Sequence, residues 1–388
     1  MHKTPLIFLV AGEASGDYLG ARLMAALKAK TSDNVQFVGI GGPRMKEEGL
    51  DLLFDQSELS HMGLFAVLAH LPQILRRIRY TIQTIKEMHP DALVTIDSPD
   101  FSFRVAKKLK GQGIPLIHYV APTVWAWRPK RAKKIAAFLD HLLVLLPFEP
   151  PYFLKEGLPC TFVGHPLVES QAGRGEAKRF RSSFGIKAET PLLAVLPGSR
   201  MSEIHKLLPI FQETVLRLKD KIPDLEIVVP VVPHLEEVVA SQLEDWPVRS
   251  YITRNDQDKY DAFAACRAAL ACSGTVSVEL AMAGLPTIIA YRASALTFAL
   301  YRRLIKTPYA TLLNIMKNEE VMPEYIQDDC CADKLEVAVG DLLQDEKARQ
   351  RQKEELQDIG VWLGRGQFIP SEKAAETVLE VINSPLLQ

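Results

Sequence analysis

What most constrains this chain is an alternation that runs through it twice: apolar runs of five or six residues, separated by longer amphipathic stretches. In the first half the runs are Leu6–Ala11, Gln36–Ile40, Ala92–Ile96, Pro115–Tyr119 and His141–Leu146. Between them lie Asp17–Lys30, Leu64–Met88, Phe103–Gly111 and Pro129–Phe138. The pattern restarts with Leu192–Leu196, Glu226–Pro230, Val248–Thr253, Ala268–Cys272 and Thr287–Tyr291. Short apolar runs predict buried strands, and the stretches between them predict helices. Strands separated by helices make βαβ units and hence a parallel sheet. The expected fold class is α/β, with two domains whose parallel sheets face an inter-domain cleft. A polar stretch at 170–190 divides the two rounds. The reading gives an N-terminal domain over 1–168, a second domain over 187–365, and a helical segment over 366–388 free to pack back on the first domain.

Composition narrows the class. A chain of 388 residues, 47% hydrophobic and 24% charged, is neither disordered nor fibrous. Its 46 Lys and Arg against 47 Asp and Glu argue against a dedicated nucleic-acid binder. The charge is unevenly spread, however. Between His70 and Asp140 thirteen basic residues stand against five acidic ones, so that segment is +8 and the remainder −9. Such a region suits an anionic neighbour. The five cysteines (Cys160, Cys266, Cys272, Cys330 and Cys331) form no CxxC and read as reduced thiols of a cytosolic protein. The N-terminal apolar run feeds a glycine turn and a helix, which marks a strand rather than a signal peptide. No run approaches the ~18–20 apolar residues that a membrane-spanning helix needs.

Both halves open with a strand, a glycine-containing turn and a helix: Val10-Ala-Gly-Glu-Ala-Ser-Gly-Asp17, then Val195-Leu-Pro-Gly-Ser-Arg200. Small residues there also serve tight strand–helix packing, so each turn alone is a weak signal. Arg200 stands at a helix start, where backbone amides favour an anion and a guanidinium adds bidentate phosphate recognition. Cys272-Ser-Gly-Thr-Val-Ser-Val-Glu279 leaves another apolar strand. Ser273, Gly274 and Thr275 offer a cap and exposed amides, and Glu279 faces back toward the same loop, where a carboxylate can accept ribose hydroxyls. Together these two elements read as a nucleotide-diphosphate site in the second half. Asp97, in Thr95-Ile-Asp-Ser-Pro-Asp-Phe101, leaves a strand with the shape of a general base. Asp100 is better read as a helix cap, and no further ligand stands close enough for a metal. Trp125 and Trp127 beside Arg128, Lys130, Arg131, Lys133 and Lys134 fit a sugar or phosphate site, or a membrane-facing rim.

At this point the chain resembles a known family. Gly12-Glu-Ala-Ser-Gly-Asp17, Gly42-Pro-Arg-Met45, Asp97-Ser-Pro-Asp-Phe101, Trp125-Ala-Trp-Arg128, Leu146-Pro-Phe-Glu149, Gly164-His165, Leu196-Pro-Gly-Ser-Arg200 and Ser273-Gly-Thr275 occur in the order seen in lipid-A-disaccharide synthases. The resemblance implies a GT-B glycosyltransferase with two Rossmann-like domains. It implies transfer from UDP-2,3-diacylglucosamine to 2,3-diacylglucosamine 1-phosphate, giving UDP and a β-1,6 disaccharide with inversion, without metal or other cofactor. It assigns Asp97 as the base and Glu13 as a second acidic active-site position. It sets Arg200, Ser273, Gly274, Thr275, Glu279, Asn314 and Ser15 against the substrates. Asn314 would otherwise read as an ordinary loop residue. Two other classes stay open on the residues alone: another GT-B enzyme acting on UDP-GlcNAc, whether transferase or 2-epimerase, and a non-catalytic membrane-bound scaffold.

The expected partners are the two acylated sugars and anionic phospholipid at the cytoplasmic face of the inner membrane; no nucleic acid is expected and a homodimer is left open. The membrane contact is expected over 62–79. There Leu64, Phe65, Val67, Leu68 and Leu71 make the segment apolar around most of its circumference, and Arg76, Arg77 and Arg79 follow at once. A helix buried against the sheet is the alternative reading of the same stretch.

Overall fold

The first apolar run, Leu6–Ala11 (β1), sends its side chains alternately into two cores. Ile7, Leu9 and Ala11 enter one, Phe8 and Val10 the other, and none is accessible to solvent. A strand buried on both faces must be central and covered by helices on either side. The computed structural model, which describes residues 4–60, 66–126, 129–294, 298 and 307–384 (backbone alone at 60 and 66–71), bears this out. With β2 (Gln36–Gly41), β3 (Asp51–Asp55), β4 (Ala92–Ile96), β5 (Leu116–Tyr119), β6 (His141–Val144) and β7 (Cys160–Phe162), β1 forms a seven-stranded sheet. Its order is β3-β2-β1-β4-β5-β6-β7 and every pairing is parallel.

The second half repeats the scheme. β8 (Leu192–Leu196), β9 (Glu226–Pro230), β10 (Ser250–Thr253), β11 (Ala268–Cys272), β12 (Thr287–Tyr291) and β13 (Glu324–Ile326) form a parallel sheet in the order β10-β9-β8-β11-β12-β13. All ten predicted strands are present. The three unforeseen ones, β3, β7 and β13, are edge strands. An edge strand pairs on one side only and stays half-exposed, so it needs no apolar run to announce it.

The chain divides into two compact units. One contains residues up to 169 together with those from 363 onward, and the other contains 170–362. The polar stretch at 170–190 is not bare linker. It carries the helix Ala177–Phe184, whose Phe180 packs near Tyr251 and whose Arg179 pairs with the buried Asp261 of the second unit. The last helix, Pro370–Ile382, packs on Ala14–Thr31 of the first unit and buries Ala374, Ala375, Val378 and Val381. Glu169 accepts from Ser371 N at 2.7 Å and Ser371 Oγ at 2.9 Å, and pairs with Arg22. No helix among the described residues is long and apolar enough to cross a membrane.

Candidate functional site

In each sheet the strand order reverses once, between β1 and β4 and between β8 and β11. Helices leave to opposite faces at such a point, which opens a crevice beyond the carboxyl ends of the two strands. In the first unit, β1 and β4 are in register at Ala11 and Ile96, so the turn after one lies beside the turn after the other. Gly12 is required by this proximity. A Cβ there would stand 2.6 Å from Ser98 Oγ, closer than any side chain could come. Asp17, at the far end of the same motif, is buried. Its carboxylate accepts from Gly42 N, Arg44 N and Met45 N, so it caps the helix Pro43–Glu47 and is not free for substrate.

Between these two anchors, Glu13 and Ser15 are exposed, and Ser15 Oγ donates to Asp97 Oδ2 at 3.3 Å. Asp97 is half-buried. Its backbone, like that of Ser98, is left-handed (φ 52° and 43°), and Val120, at the end of neighbouring β5, sits at φ 82°. For residues with a Cβ these conformations cost about 1–3 kcal/mol each, and they persist where surrounding structure enforces them, often at functional sites. Here Asp97 N donates to Tyr119 O at 3.0 Å, and Ser102 Oγ donates to Asp97 O at 2.9 Å. The turn is therefore fixed from both sides. His118 lies below it, fully buried, with Nδ1 2.7 Å from Thr95 Oγ1. Burial first, and the charge of Arg131 second, push its pKa down to about 3. This imidazole is neutral and cannot act as an acid near neutrality.

In the second unit Pro197-Gly-Ser-Arg200 follows β8 and leads into the helix Met201–Lys221. The expected anion seat at that helix start is partly taken. Glu203 Oε2 accepts from Ser199 N at 2.9 Å and Arg200 N at 3.2 Å. Gly198, at φ 128°, lies so close to Glu203 that a Cβ would come within 2.5 Å of it. The Arg200 side chain is 79% exposed and reaches Glu203 only at 3.4 Å, so its guanidinium remains available. It borders a cavity of about 410 Å³ shared with Ser273, Gly274, Thr275, Lys259 and Glu279.

Ser273-Gly-Thr275 does not cap the following helix, Val276–Met282, with a side chain. Ser273 Oγ donates instead to Ala310 O at 3.2 Å. Asn314 is fully buried, and its amide is saturated within the chain. Nδ2 donates to Met322 O and Glu324 Oε1, while Oδ1 accepts from Val321 N and Met322 N. Glu324 also accepts from Ala310 N and Thr311 N. Asn314 and Glu324 thus hold the segment whose carbonyl receives Ser273.

The sequence reading missed Lys259, whose Nζ lies 2.8 Å from Glu279 Oε2. It named Glu149 only within a motif and gave it no role; the residue is buried and accepts from Trp125 Nε1 at 3.2 Å and Leu146 N at 3.1 Å. Burial pushes its pKa up to about 7, against the opposing pull of Trp125 and two backbone amides. Of the expected membrane segment, Leu64 and Phe65 lie outside the described residues, as do the side chains of Val67, Leu68 and Leu71, and Trp127 with Arg128. From residue 72 on, the helix Ala66–Met88 is one-sided: Ile74, Ile78, Thr81 and Ile85 are buried, while Leu75, Arg76, Arg79 and Tyr80 are exposed. Arg77 is engaged inside the unit. Its Nε donates to Glu58 at 2.8 Å and its guanidinium stacks 4.6 Å from the Phe54 ring centre.

Residues 7–378 match the family model described as lipid-A-disaccharide synthetase. A lipid-A-disaccharide synthase of Rhodospirillum centenum is 53% identical over 387 residues, covering 99% of this chain and 96% of that one. Among solved structures, an S. aureus MnaA–UDP co-structure superposes with a TM-score of 0.66 at 14% identity, covering 98% and 97% of the two chains. CalG4, a calicheamicin glycosyltransferase, gives 0.62 at 15% identity, covering 99% and 100%. The fold is that of the GT-B glycosyltransferases.

Proposed function

The chain belongs to the lipid-A-disaccharide synthase family, and from that premise we infer which residues carry its reaction. It is a glycosyltransferase of lipid A biosynthesis. It moves 2,3-diacylglucosamine from UDP-2,3-diacylglucosamine to the 6-hydroxyl of 2,3-diacylglucosamine 1-phosphate. The β-1,6 disaccharide 1-phosphate forms with inversion at the anomeric carbon, and UDP leaves. Relatedness along residues 7–378 is the observation that carries this reading.

Asp97 takes the proton of the 6-hydroxyl as its oxygen attacks the anomeric carbon and the bond to UDP breaks. Its half-buried position at the reversal of strand order, its enforced backbone and the Ser15 hydroxyl beside it support that role. Glu13 stands in the neighbouring turn after β1, with Ser15, and hydrogen-bonds the sugar. Arg200 meets the charge that gathers on the leaving diphosphate, and its exposure leaves it free to do so. Glu279 accepts from the ribose, with Gly274 and Thr275 at the mouth of the same cavity. Ser273 and Asn314 act from behind, by fixing the 310–314 segment.

The acyl chains of both sugars favour a protein that works at the bilayer surface, since each CH₂ left in water costs about 0.8 kcal/mol. We assign the contact with anionic phospholipid, at the cytoplasmic face of the inner membrane, to the outward face of the 66–88 helix and the apolar residues before it. Incubation with the two acylated sugars tests the reaction. UDP release and a disaccharide 1-phosphate detected by mass spectrometry are expected, and release of neither overturns it.

A further inference from the structure

Lys259 sits in the first turn of the helix Asp256–Ala265, where the helix dipole disfavours a cation. Its side chain is only 20% exposed, and burial also disfavours the charge. Even so, the carboxylates of Glu279 and Asp256 outweigh that burial and lift its pKa above the ordinary lysine range. Nζ stands 2.8 Å from Glu279 Oε2 and 2.9 Å from Asp256 Oδ1, with the Tyr260 ring centre 4.5 Å away. Glu279 Oε2 is shut off from solvent, and the Lys259 ammonium is its partner, by charge and by hydrogen bond. That contact leaves Oε1 as the oxygen free for a ligand.

The two residues border one cavity, and they come from different helices, 20 positions apart in the chain. A bare carboxylate beside a nucleoside diphosphate would repel the phosphates and could turn either oxygen to the ribose. We propose that Lys259 is the positioning residue that locks Glu279 in one orientation and cancels its charge, so that a nucleoside diphosphate can bind with its ribose hydroxyls on Glu279 Oε1. The proposal rests on the reading of this cavity as the UDP site.

Calorimetric titration with UDP and with 2′-deoxy-UDP tests it on the full chain. Lys259→Met should weaken UDP about tenfold and bring the preference for UDP over the 2′-deoxy analogue close to one, while Lys259→Arg keeps most of both. A merely structural lysine would leave that preference unmoved. Should Lys259→Met not fold, Lys259→Ala, which likewise offers Glu279 neither charge nor hydrogen bond, replaces it with the same expectation. Glu279→Ala separates the two readings. If it retains the ribose preference, the assignment of Glu279 to the ribose fails and this proposal falls with it. If Glu279→Ala loses the preference and the neutral Lys259 variants keep it, the proposal alone is overturned.

Discussion

Asp97 owes its place to its neighbours: Gly12 lets the 97–98 turn close over the first strand's end, and Ser102 and Tyr119 hold its backbone. Replacing it with Asn keeps shape and removes basicity. Turnover should fall on the order of 10²–10⁴-fold while UDP affinity stays put; near-normal turnover would make Glu13 the leading base. The short motif around Glu13 was legible as a turn, but the division of labour within it was not. Glu13 and Ser15 face outward while Asp17 caps a helix more than 25 positions on, and only the folded chain reveals that partner. Lys259, and the role of Glu149 within its motif, escaped notice for the same reason. Glu149 carries a consequence for pH. Its folded pKa of about 7 lies above the ordinary carboxyl value, so its contribution to stability is complete below about 4.3 and is lost as pH rises through 7. The full swing is at most about 3.5 kcal/mol. Because Trp125 donates to this carboxyl, tryptophan emission should show a step near pH 7. Trp125→Phe and Glu149→Gln should each abolish it, and a step that survives both belongs to another group.

The helix Ala66–Met88 shows what periodicity can and cannot settle. Its described part follows the 3.6-residue rule, with Ile74, Ile78 and Ile85 inward and Leu75, Arg76, Arg79 and Tyr80 outward. Leu75 is 36% and Tyr80 45% exposed, which is costly for an apolar face that meets only water. Arg76→Ala with Arg79→Ala should weaken binding to anionic vesicles by roughly 10–30-fold, at about 1 kcal/mol per arginine near a charged surface, and added salt should do likewise. Leu75→Ser, and Ser at Leu64 and Phe65, should lower sedimentation with vesicles while the protein stays folded. Ile78→Ser, by contrast, should destabilise the unit by about 2–5 kcal/mol. Unchanged sedimentation in the Leu75, Arg76 and Arg79 variants would move the lipid contact elsewhere. Central strands were readable because two-sided burial writes an unbroken apolar run. The edge strands β3, β7 and β13 leave no such mark.

At the scale of the whole molecule, the first unit is built from both ends of the described chain. Val378 is fully buried against the helix Ala14–Thr31, and Glu169 ties Ser371 to Arg22. Val378→Asp should destabilise the first unit by roughly 3–5 kcal/mol, since it buries a charge without a partner. Calorimetry should then show an early transition for that unit, with UDP affinity in the second unit retained; a single unchanged melting transition would mean that the helix is dispensable. The same arrangement sets an order of events during synthesis. The first unit emerges from the ribosome first, but the helix that completes it follows about 200 residues later. At ~5–20 residues per second that interval is roughly 10–40 s, during which the groove awaiting Ala374, Ala375, Val378 and Val381 lies open. The second unit starts later, yet its sheet needs nothing beyond residue 362, and it is therefore the unit that can finish folding first.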